Sequence, residues 1–274
     1  MSPSKPDPAQ RTESVEGSVL VGGRITGARR VADTVRKPRV ASTPAVHALL
    51  EHLALTGFVG APQARGIDEH DRQVLTYLPG ETVGDRSPWP DWAWSPTMLT
   101  DVGHWLRRLH DHTANYVPPA DAVWFTGHSW RPGLIVGHQD AAPWNAVAEQ
   151  GRLVGFVDWD AAAPSSRERD LAFTAITWVP LFTPAFAATL GFRATDDRSR
   201  RLHLLLDAYG YESDRARFAG HIVERAGLQA TVIRRLAATG DPVHTALLPI
   251  ATEMDDIATG VQTLPQDFWK PPTE

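Results

Sequence analysis

The chain has no cysteine. That excludes disulfide bridges, thiol nucleophiles and thiolate metal centres, and it fits a reducing cytoplasm. No stretch approaches the ~20 consecutive apolar residues that a membrane-crossing helix needs. Residues 1–14 are polar, contain proline and lack an apolar centre, so they read as a disordered tail rather than a signal peptide or anchor. Lysine and arginine are spread along the chain under a net charge of −5, which leaves no basic footprint for nucleic acid. The expectation is a soluble, cytoplasmic protein with neither a nucleic-acid nor a membrane partner.

What is present is a composition ordinary for a globular protein, 42% hydrophobic and 22% charged. Its 274 residues suffice for one large domain or two lobes. Chemistry concentrates in Gly137-His138-Gln139-Asp140-Ala141-Ala142-Pro143-Trp144-Asn145, followed by Gly155-Phe156-Val157-Asp158-Trp159-Asp160. Asn145 stands five positions after Asp140, and Asp158 thirteen after Asn145.

Phosphoryl transfer requires acidic and amide groups in this order. In a protein-kinase catalytic loop an Asp accepts the acceptor hydroxyl's proton, an Asn five residues on holds one magnesium, and a later Asp holds the metals that bridge the phosphates. Asp140, Asn145 and Asp158 fit those roles in turn. Mg²⁺ takes hard oxygen ligands and keeps several waters, so one carboxylate and one amide are enough without a His or Cys cluster. Leu153-Val154-Gly155-Phe156-Val157 reads as a buried strand delivering Asp158, with Ala146-Val147-Ala148 as its hairpin partner.

On these residues the chain resembles the aminoglycoside phosphotransferase-like family of small-molecule kinases. His138-x-Asp140-x4-Asn145 looks like its catalytic loop, Val157-Asp158-Trp159-Asp160 like its metal segment, and Arg169-Asp170-Leu171-Ala172 like the opening of its next helix. The resemblance covers residues 17–262. It implies an α+β, two-lobed protein-kinase-like fold with a small sheet lobe (residues 15–80) and a larger, mainly helical lobe (residues 81–274). It also implies Mg²⁺, with ATP or GTP as co-substrate.

The first lobe reads as short strands at Val19-Leu20-Val21, Ala28 to Val31 and Thr34-Val35-Arg36, separated by turns. Gly22, Gly23 and Gly27 would let a β-turn approach phosphates closely, and an ordinary hairpin explains them as well. The third strand should carry the phosphate-gripping cation. Arg36 and Lys37 are adjacent, so only one can face the cleft. Arg36 is favoured because it sits two residues before Pro38, where the resembling sequences often place their basic residue, while Lys37 is the residue kinases generally use. Residues 44–56 read as a helix with Val46, Leu49, Leu50 and Leu53 on its apolar stripe, ended by Gly57. Glu51 is its only acid, and His47 stands nearer the helix start, where the resembling families place a Glu. Residues 73–80 read as a strand running into the hinge, where the backbone of Thr76, Tyr77 and Leu78 would bond the base of either nucleotide.

Residues 84–96 are rich in Trp and Pro, and their three tryptophans either stack on a ligand or cover the core. The rest reads as helix at residues 98–112, 169–178, 196–209, 214–239 and 242–263. Glu224, Glu253, Asp255 and Asp256 are acidic candidates for a polar acceptor, or else solvated faces. Asp160, two residues from the metal Asp, is a stronger acceptor-side candidate. Asp170 is expected to cap its helix or brace the catalytic loop, His138 to hold that loop by hydrogen bonds, and His110 to be a structural helix-end residue. The implied function is transfer of a γ-phosphoryl group to a small-molecule hydroxyl. The acceptor is an antibiotic of aminoglycoside, macrolide or nucleoside type, or in the alternative a metabolic alcohol such as choline, homoserine or a sugar. A kinase fold kept for binding or immunity without chemistry is the remaining reading. Oligomeric state leaves no mark in the sequence.

Overall fold

Side-chain alternation along a few extended residues decides what the amino-terminal sheet buries. The computed structural model describes residues 17–20, 27–84, 86–192 and 197–271. The sheet contains β1 (Ser18–Val19), β2 (Arg29–Val31), β3 (Thr34–Pro38), β4 (Ala64–Ile67) and β5 (Arg72–Thr76). All pairings are antiparallel, in the order β1-β2-β3-β5-β4. β4, which the sequence pattern did not single out, forms the edge beside β5. Gly22, Gly23 and the expected strand residue Val21 lie outside the described residues. Gly27 takes φ 52° beside the bond from Leu20 N–H to Ala28 O at 2.9 Å.

Between β3 and β4 runs α1 (Thr43–Leu55), with Pro44 in its first turn, where the missing N–H has no intrahelical acceptor to lose. Its buried face is Ala45, Val46, Leu49, Leu50 and Leu53. α2 (Pro96–Thr113) is capped by Ser95, whose hydroxyl accepts the Met98 N–H at 3.0 Å. Leu99, Val102, Leu106 and Leu109 of α2 are fully buried, each contributing about 1.5–3 kcal/mol by apolar burial. The same apolar core includes Leu49 and Leu50 of α1, so sheet lobe and helical lobe share it.

The segment after α2 contains β6 (Ile135–Gly137), the hairpin β7 (Ala146–Glu149) and β8 (Arg152–Phe156), and β9 (Ala163–Ser165). β6 pairs with β9, which brackets residues 138–145 between two short ladders. Gly155 of β8 lies against Gly60, and a Cβ there would meet the Gly60 carbonyl oxygen at 2.1 Å. That close approach lets Gly60 O accept from Phe156 N–H at 3.0 Å and from the Trp105 indole at 3.2 Å.

The helical lobe continues through α3 (Arg167–Trp178), α4 (Pro184–Thr189), α5 (Arg198–Tyr209), α6 (Arg215–Ala237), α7 (Pro242–Thr245) and α8 (Leu248–Gln262). α6 packs along α8 and against α3, and α2 packs along α5. The single helix expected over 242–263 is corrected to two. Pro249, in the first turn of α8, has no N–H to give residue 245 and restarts the helix after Leu247. Asp196, the expected start of the helix over residues 196–209, lies outside the described residues. The arrangement is a two-lobed α+β fold.

Candidate active site

β6 ends at Gly137, and the chain turns sharply to present residues 138–145. Gln139 takes φ 64°, a left-handed conformation costing a non-glycine residue on the order of 1 kcal/mol. Asp170, buried in the first turn of α3, holds this turn by accepting His138 N–H at 3.0 Å and Gln139 N–H at 2.8 Å. Gly137 is needed here, because a Cβ would lie 2.3 Å from the Asp170 Oδ2. Asp170 also bonds His110 Nε2 at 3.0 Å, and His110 Nδ1 meets the Tyr209 hydroxyl at 2.7 Å. Burial by itself would raise the Asp170 carboxyl. The hydrogen bond and charge of His110, with His138 and the Gln139 amide, hold it below the usual carboxylate range instead.

His138 ties the catalytic loop to the end of β8. Its Nε2 meets Val157 O at 3.1 Å and its Nδ1 accepts Asp140 N–H at 3.3 Å. Burial pushes this imidazole down to about 4. A neutral ring that donates from Nε2 and accepts at Nδ1 makes both bonds, so His138 acts as a brace.

Asp140 is half-buried, and its Oδ2 accepts Asn145 Nδ2 at 2.7 Å and the Trp144 indole at 3.4 Å. Burial and the charge of Asp158 push its carboxyl up to about 7, against the bonds from Trp144 and Asn145 and the charge of Arg225. Asn145 spends its amide N–H groups on Asp140, the second bond going to Asp140 O at 2.9 Å. Its carbonyl oxygen therefore stays free of that pairing and suits a hard cation.

Asp158 leaves β8 in a left-handed conformation, φ 59°, at the head of the turn Trp159–Ala161. Lys37 reaches it from β3, with Nζ 2.9 Å from Asp158 Oδ1 and 2.8 Å from Asp160 Oδ2. Burial disfavours the Lys37 ammonium, but these two carboxylates outweigh it and hold its pKa above the ordinary lysine value. Asp160 Oδ1 is buried without a partner.

Strand alternation corrects the choice of Arg36 as the residue facing the cleft. Lys37 points to the site, whereas Arg36 turns to the other face and pairs with Asp68 at 3.2 Å. Glu51 is exposed, and His47 occupies the buried position on that face of α1. Burial lowers the His47 pKa. Asp158 and Asp160, not Glu51, are the carboxylates at the Lys37 ammonium. At the hinge, Thr76 N–H is already bonded to Gln63 O at 3.0 Å and Tyr77 N–H to Asp33 O at 2.8 Å. Of the three amides expected at the hinge, only Leu78 N–H lies outside these two bonds.

An aromatic ridge leads away from Asp140. The Trp144 ring lies 6.1 Å from Trp89, which stacks on Trp94 at 5.1 Å, and Trp94 adjoins Phe192 at 5.2 Å. Of the four acidic acceptor candidates on the helices, three are occupied elsewhere. Glu224 pairs with Arg169 at 2.6 Å, Asp255 pairs with Arg234, and Glu253 accepts the Thr183 hydroxyl at 3.0 Å; Asp256 is an exposed side chain of α8. Among the described residues, no group of three or more His, Cys, Asp or Glu is placed to hold a metal. The donors on hand are Asn145 and Asp158, which suit a cation completed by phosphate and water.

One residue beside the catalytic loop escaped the sequence reading. Arg225 of α6 is buried, donates from Nη2 to Gln139 O at 2.9 Å, and lies over the Phe173 ring at 4.4 Å. Burial brings its guanidinium down to about 10, so it remains charged at neutral pH. The available signal was a charge on the apolar stripe of α6, between Ile222 and Ala226.

A model of the phosphotransferase enzyme family matches residues 126–204, which include the catalytic loop, Asp158 and Asp170. The trifolitoxin immunity protein of Rhizobium leguminosarum bv. trifolii is 35% identical over 194 residues, spanning 69% of this chain and 72% of that protein. A choline/ethanolamine kinase family protein from Mesorhizobium loti shares the fold at a TM-score of 0.63 with 16% identity, over 96% of this chain and 97% of that one. An amicoumacin kinase in complex with AMP-PNP and Ca²⁺ does so at 0.62 with 13% identity, over 95% of each chain. A macrolide 2′-phosphotransferase from Brachybacterium faecium gives 0.53 with 18% identity, over 95% and 99%. Among the described residues, no helix is long and apolar enough to cross a membrane.

Proposed function

Because this chain belongs to the phosphotransferase enzyme family, we propose that it transfers the γ-phosphoryl group of ATP or GTP to a hydroxyl of an antibiotic or toxin in the cytoplasm. The reading rests on one observation above the others. Lys37 crosses from the sheet lobe to Asp158 and Asp160, and so joins a phosphate-gripping cation to the proposed metal carboxylate beside Asp140.

Asp140 takes the proton of the acceptor hydroxyl as its oxygen forms a bond to the γ-phosphorus. The bond from that phosphorus to the bridging oxygen breaks, and the nucleoside diphosphate leaves with the electron pair. Asn145 and Asp158 would hold Mg²⁺, which when bound neutralises phosphate charge. Lys37 supplies further positive charge from the sheet side, and Leu78 N–H meets the base at the hinge. His138 and Asp170 keep the loop in register, and Asp160 orients Lys37. The Trp144–Trp89 ridge flanks the acceptor side of Asp140. The nucleotide-binding lobe ends near residue 80, with the acceptor bound by the helical lobe.

The immunity relative supports an antibiotic or toxin over a metabolic alcohol. That same immunity relative favours a second reading, in which the chain sequesters a toxin without modifying it. Nucleoside-diphosphate release separates the two. With Mg²⁺, ATP or GTP, and a panel of aminoglycosides, macrolides, nucleoside antibiotics, peptide toxins and small alcohols, the kinase releases diphosphate only with its acceptor and loses this in Asp140→Ala. Acceptor binding without release by the wild type would establish sequestration instead.

A further inference from the structure

Gln139 immediately precedes Asp140, and its backbone at φ 64° is one that side-chain-bearing residues seldom adopt. Two groups grip the peptide units on either side of it. Asp170 accepts the Gln139 N–H at 2.8 Å, and Arg225, 86 residues further along the chain, donates to the Gln139 carbonyl at 2.9 Å. The Asp170 grip begins at the same α3 turn that carries the family resemblance. The Arg225 grip arrives from a separate helix.

Arg225 is an expensive residue to bury. Its partners are the Gln139 carbonyl, Gln229 Oε1 at 2.8 Å and the face of Phe173 at 4.4 Å, none of which carries a charge. Its Nε is buried without a partner. An apolar side chain on the α6 stripe would pack α6 against α3 without that desolvation. The charge instead sits where it is felt by both Asp140 and Asp170, at the one carbonyl that sets the direction of the Asp140 backbone.

We infer that Arg225 is a positioning residue for phosphoryl transfer. By gripping the Gln139 carbonyl it fixes the strained turn that aims Asp140, so turnover depends on it while nucleotide binding does not. The consequence for turnover rests on the proposed kinase function; the grip on the turn does not. Lys37, Asp158 and Leu78 hang on the sheet, on β8 and on the hinge, which Arg225 does not touch.

The test compares Arg225→Met, Arg225→Lys and the double variant Arg225→Met with Gln139→Gly. It uses three readouts on the full chain: Mg²⁺-dependent triphosphate turnover with the panel compound that elicits diphosphate release, dissociation of a fluorescent ATP analogue, and amide hydrogen exchange across residues 137–145. Arg225→Met should lower kcat about 100-fold, the scale of a ~1 Å misplacement of a catalytic group. The ATP-analogue Kd should stay within about twofold. Exchange should accelerate at residues 137–145 while α3 and α6 keep wild-type protection. Arg225→Lys, which keeps a donor, should recover about tenfold of the loss. Gln139→Gly, which adopts positive φ freely, should recover part of it in the Met background. Unchanged exchange at residues 137–145, or acceleration spread evenly over α3 and α6, would overturn the inference, since a residue that merely packs the helices behaves that way. A wild type that binds no nucleotide overturns the proposed function alone, and the exchange pattern then still decides whether Arg225 holds the turn.

Discussion

Replacing Lys37 with methionine tests the junction between the lobes. The change keeps the length and apolar stem of the side chain and removes the ammonium that faces Asp158 at 2.9 Å and Asp160 at 2.8 Å. A unit-charge pair at 2.8 Å is worth about 6 kcal/mol gross in an effective dielectric of about 20, before desolvation is subtracted. Asp158, whose charge acts most strongly on the ammonium, is 36% exposed and screened by water, and Asp160 is 19% exposed. Stranding these carboxylates should therefore cost about 2–4 kcal/mol, less than the full penalty of breaking a buried pair. For a chain of this size that lowers Tm by about 5–15 °C. Mg²⁺ should return part of the loss in Lys37→Met and add little to the wild type, because a divalent cation can replace the missing charge. Arg36→Met is the control. Its partner Asp68 keeps Arg72 at 2.9 Å, so the cost should stay below about 1 kcal/mol. Thermal unfolding with and without Mg²⁺, together with KM for ATP, reads the comparison. If Arg36→Met raised KM and lowered Tm while Lys37→Met did neither, the assignment of the cleft-facing cation would be wrong.

Asp140→Ala should lower kcat by about 10²–10⁴-fold, as expected for loss of a general base, and leave nucleotide Kd unchanged; equal loss in both by titration and initial rates would contradict its role. The native Asp170 carboxyl lies below its ordinary value of 3.8. Its contribution is thus complete above about pH 4 and disappears as pH falls through the lower native pKa. Urea unfolding between pH 3 and 6 should show a stability loss on acidification that Asp170→Asn flattens, and an Asn variant with the same slope would refute this. Gly155→Ala forces a methyl to within 2.1 Å of the Gly60 carbonyl and should destabilise by at least about 1–3 kcal/mol, seen as a lower urea midpoint at unchanged slope.

The parts of this site legible in the sequence are those built from local chain geometry. Four residues of loop separate Asp140 from Asn145, a hairpin delivers Asp158, and helix-forming apolar stripes mark α1 and α2, all of which are short-range patterns. What stayed hidden depends on which way a side chain turns at long range. Arg36 and Lys37 differ by one position in a strand whose faces the sequence does not label, and only pairing with β5 and the approach of Asp158 settles which one is buried. Arg225 reads as one more helical arginine until α6 is laid against α3. β4 is too short, and its residues 64–66 too weakly β-forming, to announce itself without β5.

The same logic decides a question the sequence left open, which acid orients Lys37. Glu51 was the only acid on α1, but it points to solvent, while Asp160 closes on the ammonium at 2.8 Å with a second oxygen buried and unpaired. The carboxylate at the Lys37 ammonium therefore comes from the turn after β8 and not from α1. Asp160→Asn removes one charge from the partly buried pair and should reduce kcat/KM for ATP about 5- to 150-fold, equivalent to about 1–3 kcal/mol. Glu51→Gln touches no ion pair and should leave kcat/KM within about twofold. Steady-state kinetics on the two variants decides between them. A large loss in Glu51→Gln with none in Asp160→Asn would mean that α1 moves inward when nucleotide binds and that the Lys37–Asp160 pair belongs only to the ligand-free state.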